Sequence, residues 1–88
     1  MFNLPVRKIN YKTFTLNRNE TINITQFVAS FMILNSNPNN NLNIKIEDLE
    51  TGYYFIYNHS NMFLKLRGLY NIRITNLSND AITVIIEE

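Results

Sequence analysis

Apolar residues recur at every second position through most of the chain, and the breaks between these runs are rich in Asn. Val6–Leu16 alternates loosely around Ile9, Tyr11, Phe14 and Leu16, and Glu20–Ile24 places Ile22 and Ile24 on one face. Leu42–Ile46 turns Leu42, Ile44 and Ile46 inward and Asn43 and Lys45 outward. Gly52–Tyr57 is aromatic on both faces, and Met62–Leu66 sets Met62, Leu64 and Leu66 opposite Phe63, Lys65 and Arg67. Two last runs, Tyr70, Ile72, Ile74 and Ile82, Val84, Ile86, flank a small polar break. A period of two with many Ile, Tyr, Phe, Thr and Val is the pattern of β-strands.

The connectors are Asn35–Asn41, Glu47–Gly52, Asn58–Asn61 and Asn76–Asp80. Asn and Asp suit such places because they tolerate the left-handed backbone and hydrogen-bond their own main chain. The Asn58–Asn61 break reads as a hairpin loop, and the last two runs read as a hairpin that closes the core. Thr25–Asn35 is the ambiguous stretch, since Phe27, Phe31 and Leu34 also fit helical spacing. Its β-branched and aromatic content, the lack of a capping-box Glu and the turn chemistry that follows favour a buried strand. Seven to eight short strands with no helix alternating between them predict an all-β fold, a small antiparallel β-sandwich or jelly-roll-like barrel.

Eighty-eight residues allow one domain, with residues 1–19 as a basic N-terminal arm or strand and 20–88 as the core. A chain of this size buries only about 60–65% of its unfolded surface, so small domains often add disulfides, metals or partners. There is no cysteine and one histidine, which removes disulfides, thiolate metal sites and His clusters, and leaves assembly. Sixteen Asn and twelve Ile stand beside two Ala and two Gly, the usage expected of an AT-rich genome. Four Asn-X-Ser/Thr triplets occur, at Asn19, Asn23, Asn58 and Asn76, where this composition gives about two by chance, and no glycosylation is inferred.

Eight basic residues against seven acidic ones give no overall nucleic-acid or membrane signature. Arg7, Lys8, Lys12 and Arg18 all precede the first acid, Glu20, and the sequence closes on Glu87 and Glu88. Solvated charge is the preferred reading of this asymmetry, with head-to-tail contact in an assembly as the alternative. Met1–Pro5 lacks a signal-peptide pattern, and the longest apolar stretch, Phe31–Leu34, is far too short to span a bilayer. The expected product is soluble and made in a cytoplasm.

Catalytic chemistry finds little footing, and no cofactor is expected. His59 beside Ser60 in a predicted turn cannot assemble a nucleophile, a base, an orienting carboxylate and an oxyanion hole. Glu47, Asp48 and Glu50 share one loop without the spacing of an EF-hand, and a solvated loop is the preferred reading over calcium. Tyr53, Tyr54, Phe55 and Tyr57 with Lys65 and Arg67 could stack and hold a single-stranded nucleic acid, but near-zero net charge opposes it. The same aromatic run fits two readings equally: a central strand whose Tyr hydroxyls reach solvent, or an outer face covered by another protein. Ile85 raises the same question on the last strand, lying opposite to Ile82, Val84 and Ile86.

From about Phe27 onward the chain resembles small virion structural proteins of tailed bacteriophages. The resemblance rests on FMILNSN, then LNIKIED, YYFIY, NIRITNLS and the closing AITVIIEE, with Ile72, Ile74, Asn76, Ser78, Ala81, Thr83 and Val84 in the ending. It implies a compact β-sandwich resident in the virion after synthesis in the host bacterial cytoplasm, as a capsid decoration, minor capsid or connector component. The partners it implies are other virion proteins (capsid, portal or tail components) and further copies of the chain in a homo-oligomer. The residues expected to make contact are Tyr53, Phe55 and Tyr57 on an outer face, with Arg7, Lys8 and Lys12 on the N-terminal arm. A carbohydrate- or receptor-binding module, with Tyr rings as sugar platforms and Asn or Asp for hydroxyls, is the alternative.

Overall fold

A computed structural model describes residues 10–64 and 68–88, and among these every regular element is a strand. In chain order they are β1 (Tyr11–Leu16), β2 (Thr21–Ile24), β3 (Phe27–Val28), β4 (Ser30–Asn35) and β5 (Leu42–Asp48). The second half supplies β6 (Tyr54–His59), β7 (Met62–Leu64), β8 (Gly68–Leu69), β9 (Ile72–Asn76) and β10 (Ile82–Glu87). Eight of them form two four-stranded sheets, ordered β1-β10-β4-β7 and β2-β9-β5-β6, and β3 pairs with β8 in a two-residue ladder.

The pairing has a simple rule. β1 pairs with β10, β2 with β9, β3 with β8, β4 with β7 and β5 with β6, all antiparallel. The chain is one long double strand folded back at the β5–β6 turn and then wrapped. Contacts of β10 with β4 and of β5 with β9 join the wrapped layers into sheets. Two sheets made by wrapping a double strand are the jelly-roll form of a β-sandwich. The expected all-β sandwich is what the structure has, and Thr25–Asn35 holds no helix: from Phe27 it forms two strands, β3 and β4, broken at Ala29, with Phe27 exposed.

Two expected hairpins are not hairpins. β9 belongs to one sheet and β10 to the other, so Asn76–Asp80 is an arch between layers. The Ser60–Asn61 break likewise carries the chain from β6, paired with β5, to β7, paired with β4. A half-buried strand alternates in the same way whether its neighbour in sequence lies beside it or across the core, so the alternation left the partner unassigned.

Opposed residues in a ladder share a face, which fixes what points inward. Leu16, Phe31, Ile33, Ile82, Val84 and Ile86 come from one sheet; Ile24, Leu42, Ile44, Ile46 and Ile74 come from the other, and all are buried in a single cluster with Val28. Branched aliphatic side chains dominate it, as suits strands that bury one face. Among the described residues four polar ones are buried too: Ser30, Asn35, Asn76 and Ser78.

The two ends of the sandwich are held differently. At one end Asn76 is fully buried, and its Nδ2 donates to the carbonyls of Leu16 (3.0 Å) and Asp80 (2.9 Å) while its Oδ1 accepts from the Ser78 amide (2.9 Å). Ser78 Oγ accepts from the Asn43 amide (2.8 Å) and donates to the Asn43 carbonyl (3.2 Å). Asn35 Nδ2 donates to the Asn41 carbonyl (3.0 Å), and its Oδ1 accepts from the Asn37 amide (2.8 Å). Asn19, at φ 67°, takes the left-handed turn position that Asn tolerates, and its amide donates to the Asn76 carbonyl (2.7 Å). At the other end Asp48 caps the β5–β6 turn. Its Oδ1 accepts from the Glu50 (2.9 Å) and Thr51 (3.4 Å) amides, and Gly52 follows at φ 78°. The acidic loop is thus a turn built around one carboxylate.

Candidate functional site

β6 is the edge of its sheet, and among the described residues its only ladder partner is β5. Tyr53, Tyr54, Phe55 and Ile56 are 79%, 62%, 55% and 50% exposed, four large apolar residues in a row. Register explains how both faces come to be open. Tyr54 pairs with Glu47 and Ile56 with Lys45 on the outer face; Phe55 pairs with Ile46 and Tyr57 with Ile44 on the inner one. Tyr57 is the half-buried member, packed on the core, with its hydroxyl donating to the Ser60 carbonyl (2.9 Å) and its ring 5.5 Å from that of His59.

The expectation that Tyr53, Phe55 and Tyr57 share an outer face therefore needs correcting. Phe55 and Tyr57 stand on the core side of the sheet, and the outward pair is Tyr54 and Ile56. Alternation alone could not tell the faces apart, because an apolar residue occupies every position from Tyr53 to Tyr57. On the outer face Lys45 Nζ lies 4.4 Å from the centre of the Tyr54 ring and 3.8 Å from Glu47 Oε1. A cation over the ring leaves its far face and edge for a partner. Beside the turn, Ile46, Asp48, Tyr53, Tyr54, Phe55 and Ile72 enclose an open apolar hollow of about 190 Å³.

Of the basic residues expected at the contact surface, only Lys12 lies among the described residues, and it is not part of this surface. Arg7 and Lys8 lie outside the described residues, as do Lys65 and Arg67. Lys12 sits on β1 in the other sheet and pairs with Glu88 (2.6 Å). That contact, helped by a hydrogen bond from Gln26 Nε2 (3.2 Å), holds the exposed Glu88 carboxyl below its ordinary pKa. Lys12 and Glu88 thus meet within one chain, because β1 and β10 are partners. The outer face of that sheet is quieter than β6: Ile85, Met32 and Leu34 lie on it half-buried between Thr13, Thr15 and Thr83.

The Tyr and Asn chemistries joined in the carbohydrate alternative are set apart only in part. β5 runs from Asn43, opposite Asn58, to Glu47, opposite Tyr54, so Tyr53 and Tyr54 lie at the far end from the Asn-rich loops, whereas Tyr57, opposite Ile44, lies near them.

No family model and no curated protein matches the chain. Among solved structures it is similar to ToxT from Vibrio cholerae. The crystal structure of ToxT bound to (E)-4-(8-methylnaphthalen-1-yl)but-3-enoic acid aligns over 92% of this chain at 15% identity with a TM-score of 0.59. Wild-type ToxT bound to an unsaturated fatty acid aligns over 93% at 17% identity with a TM-score of 0.58. The chain spans 30–31% of the length of these ToxT chains. What is shared is the fold: a segment of ToxT takes the same two-sheet, all-β path as this chain.

Proposed function

We propose that the chain is a non-enzymatic assembly subunit that docks on a neighbouring protein through the β6 edge. The observation that carries this reading is the run Tyr53–Ile56, each side chain at least half exposed on a strand at the margin of its sheet. Free sheet edges are ordinarily guarded by charge, proline or a bulge, because their open amides and carbonyls invite another strand. Tyr53–Tyr57 contains no charged residue and no proline. Tyr and Phe are the side chains that supply interface affinity when a partner covers them.

The phage resemblance in the second half of the sequence makes that neighbour a virion protein, namely a capsid, portal or tail component or another copy of the chain. The role is then capsid decoration, minor capsid or connector subunit, made in the host cytoplasm and carried in the particle. Near-neutral net charge supports a protein partner over nucleic acid. The acids bound by ToxT are a weaker guide here. The apolar hollow beside β6 has Asp48 in its lining and, among the described residues, no cation, so an acid's carboxylate would meet like charge.

Light scattering across a concentration series, with binding assays against purified phage capsid, portal and tail proteins, tests the proposal. Self-association or binding to one of these proteins, weakened about tenfold or more by Tyr54→Ser with Phe55→Ser, is the expected result. A monomer at every concentration that binds none of them sinks it, as does association indifferent to the double substitution.

A further inference from the structure

A second site lies at the other end of the sandwich, where nothing in the assembly role is needed. Three connections meet there: the β1–β2 turn with Arg18, the β4–β5 loop with Asn41, and the β9–β10 arch with Leu77, Asn79 and Asp80. Together with Asn43 at the start of β5 they line an open cleft of about 430 Å³. That volume falls within the about 300–1,000 Å³ typical of small-ligand sites.

The walls are fixed before any ligand arrives. The Asn76, Ser78 and Asn35 bonds tie the three connections to one another, and two main-chain bonds add to them: Leu77 N to Asn43 O (2.8 Å) and Ser36 N to Ala81 O (3.0 Å). The groups left over are different in kind. The side chains of Arg18, Asn41, Asn43 and Asn79 make no hydrogen bond to the described protein, and Asp80 uses one carboxylate oxygen to accept from Asn40 Nδ2 (2.8 Å). Ser78 and Asn40, which also line the cleft, are bonded within the protein, while Arg18, Asn41, Asn43 and Asn79 keep open side chains. The backbone of the walls needs little ordering on binding, and the cost falls on these open side chains.

Charge and chemistry narrow the ligand. Arg18 and Asp80 balance, so neither an anion nor a cation finds a net field. Among the described residues no aromatic ring lines the cleft, so a nucleobase has nothing to stack on. Each amide offers a donor and an acceptor side by side, and Asp80 and Arg18 add a charged acceptor and a fork of donors. Adjacent sugar hydroxyls, each both donor and acceptor, are the groups that complement this set, and Leu77 offers an apolar patch for the C–H face of a ring. We propose that this Asn-lined cleft is a binding site for an uncharged saccharide. It is separate from the β6 edge and does not rest on the assembly reading.

Amide shifts of the labelled full chain, titrated with glucose, galactose, N-acetylglucosamine and lactose after a glycan-array screen, test this directly. Sodium sulfate is the ionic control. The expected result is a saturable response to a neutral sugar at Asn41, Asn43 and Leu77–Asp80. Asn79→Ala and Asn41→Ala should each weaken it about tenfold, while Tyr54→Ser leaves it unchanged. Both lining substitutions fall on exposed side chains outside the buried network, so folded spectra are expected for them. Shifts centred on Tyr53–Ile56, an equal response to sulfate, or no saturable response to any array hit or named sugar overturns the proposal.

Discussion

The two ends of this sandwich close the same wrapped double strand with opposite chemistry. At the Asn end, buried side chains replace strand pairing: Asn76, Ser78 and Asn35 complete main-chain groups that the arches leave unpaired. At the aromatic end the turn is local. Asp48 caps its own loop, the Asp48 amide donates to the Tyr53 carbonyl (2.8 Å), and the neighbouring side chains stay in solvent. Buried polar groups must be satisfied, whereas exposed apolar ones are tolerated until a partner covers them. The first end is therefore where substitutions are expected to cost stability, and the second is where association is proposed.

Substitutions should separate the two. The largest effect is expected from Asn76→Ala, which removes three hydrogen bonds, to two carbonyls and from an amide, at about 1–3 kcal/mol for each buried group left unsatisfied. Urea unfolding should show a loss of about 3 kcal/mol or more, and a loss below about 1 kcal/mol would mean water replaces the side chain and the contrast fails. Next comes Tyr54→Ser with Phe55→Ser. The same unfolding experiment should register little change, about 1 kcal/mol or less, although association falls. A large loss of stability would make these residues part of the fold instead of its contact surface.

Gly52→Ala comes third. A methyl group there meets open space, so the strain of an L-residue at φ 78° is the whole effect, about 1–2 kcal/mol. Thermal unfolding should drop accordingly, and an unchanged midpoint would show that the turn relaxes freely. The smallest effect concerns Glu88. Its carboxyl is held below the ordinary value by Lys12, so its contribution is present above the unfolded pKa and is lost as pH falls through the folded one. Lys12→Ala should return the carboxyl to its ordinary range in an NMR titration. An unmoved titration would show that Gln26 alone sets it.

Much of this was legible in the chain. Alternation located the strands, and the core list follows from it: Ile44 and Ile46 inward, Lys45 outward. What alternation could not carry was the partner of each strand, which is why the β9–β10 arch looks like a hairpin in sequence. The aromatic run was visible but its faces were not, since register against β5 alone distinguishes Tyr54 and Ile56 from Phe55 and Tyr57. Asn abundance was the least legible signal. Codon bias accounts for the total, yet Asn76 and Asn35 are buried structural residues, and a fully buried Asn76 is closed to glycosylation. Only knowledge of which carbonyls the arches leave open separates them from their exposed neighbours.

The rule that pairs first strand with last has a consequence for the order of events in folding. The β5–β6 pair joins residues close in sequence, while the β1–β10 pair joins Tyr11 to Glu87 and Leu16 to Ile82. Each successive pair outward closes a longer loop, and such loops cost chain entropy before their contacts repay it. Folds dominated by distant pairings assemble in about milliseconds to seconds, much more slowly than helical bundles of similar size. The aromatic end, next to the most local pair, is then available early, and β6 is exposed for as long as the outer pairs take to form.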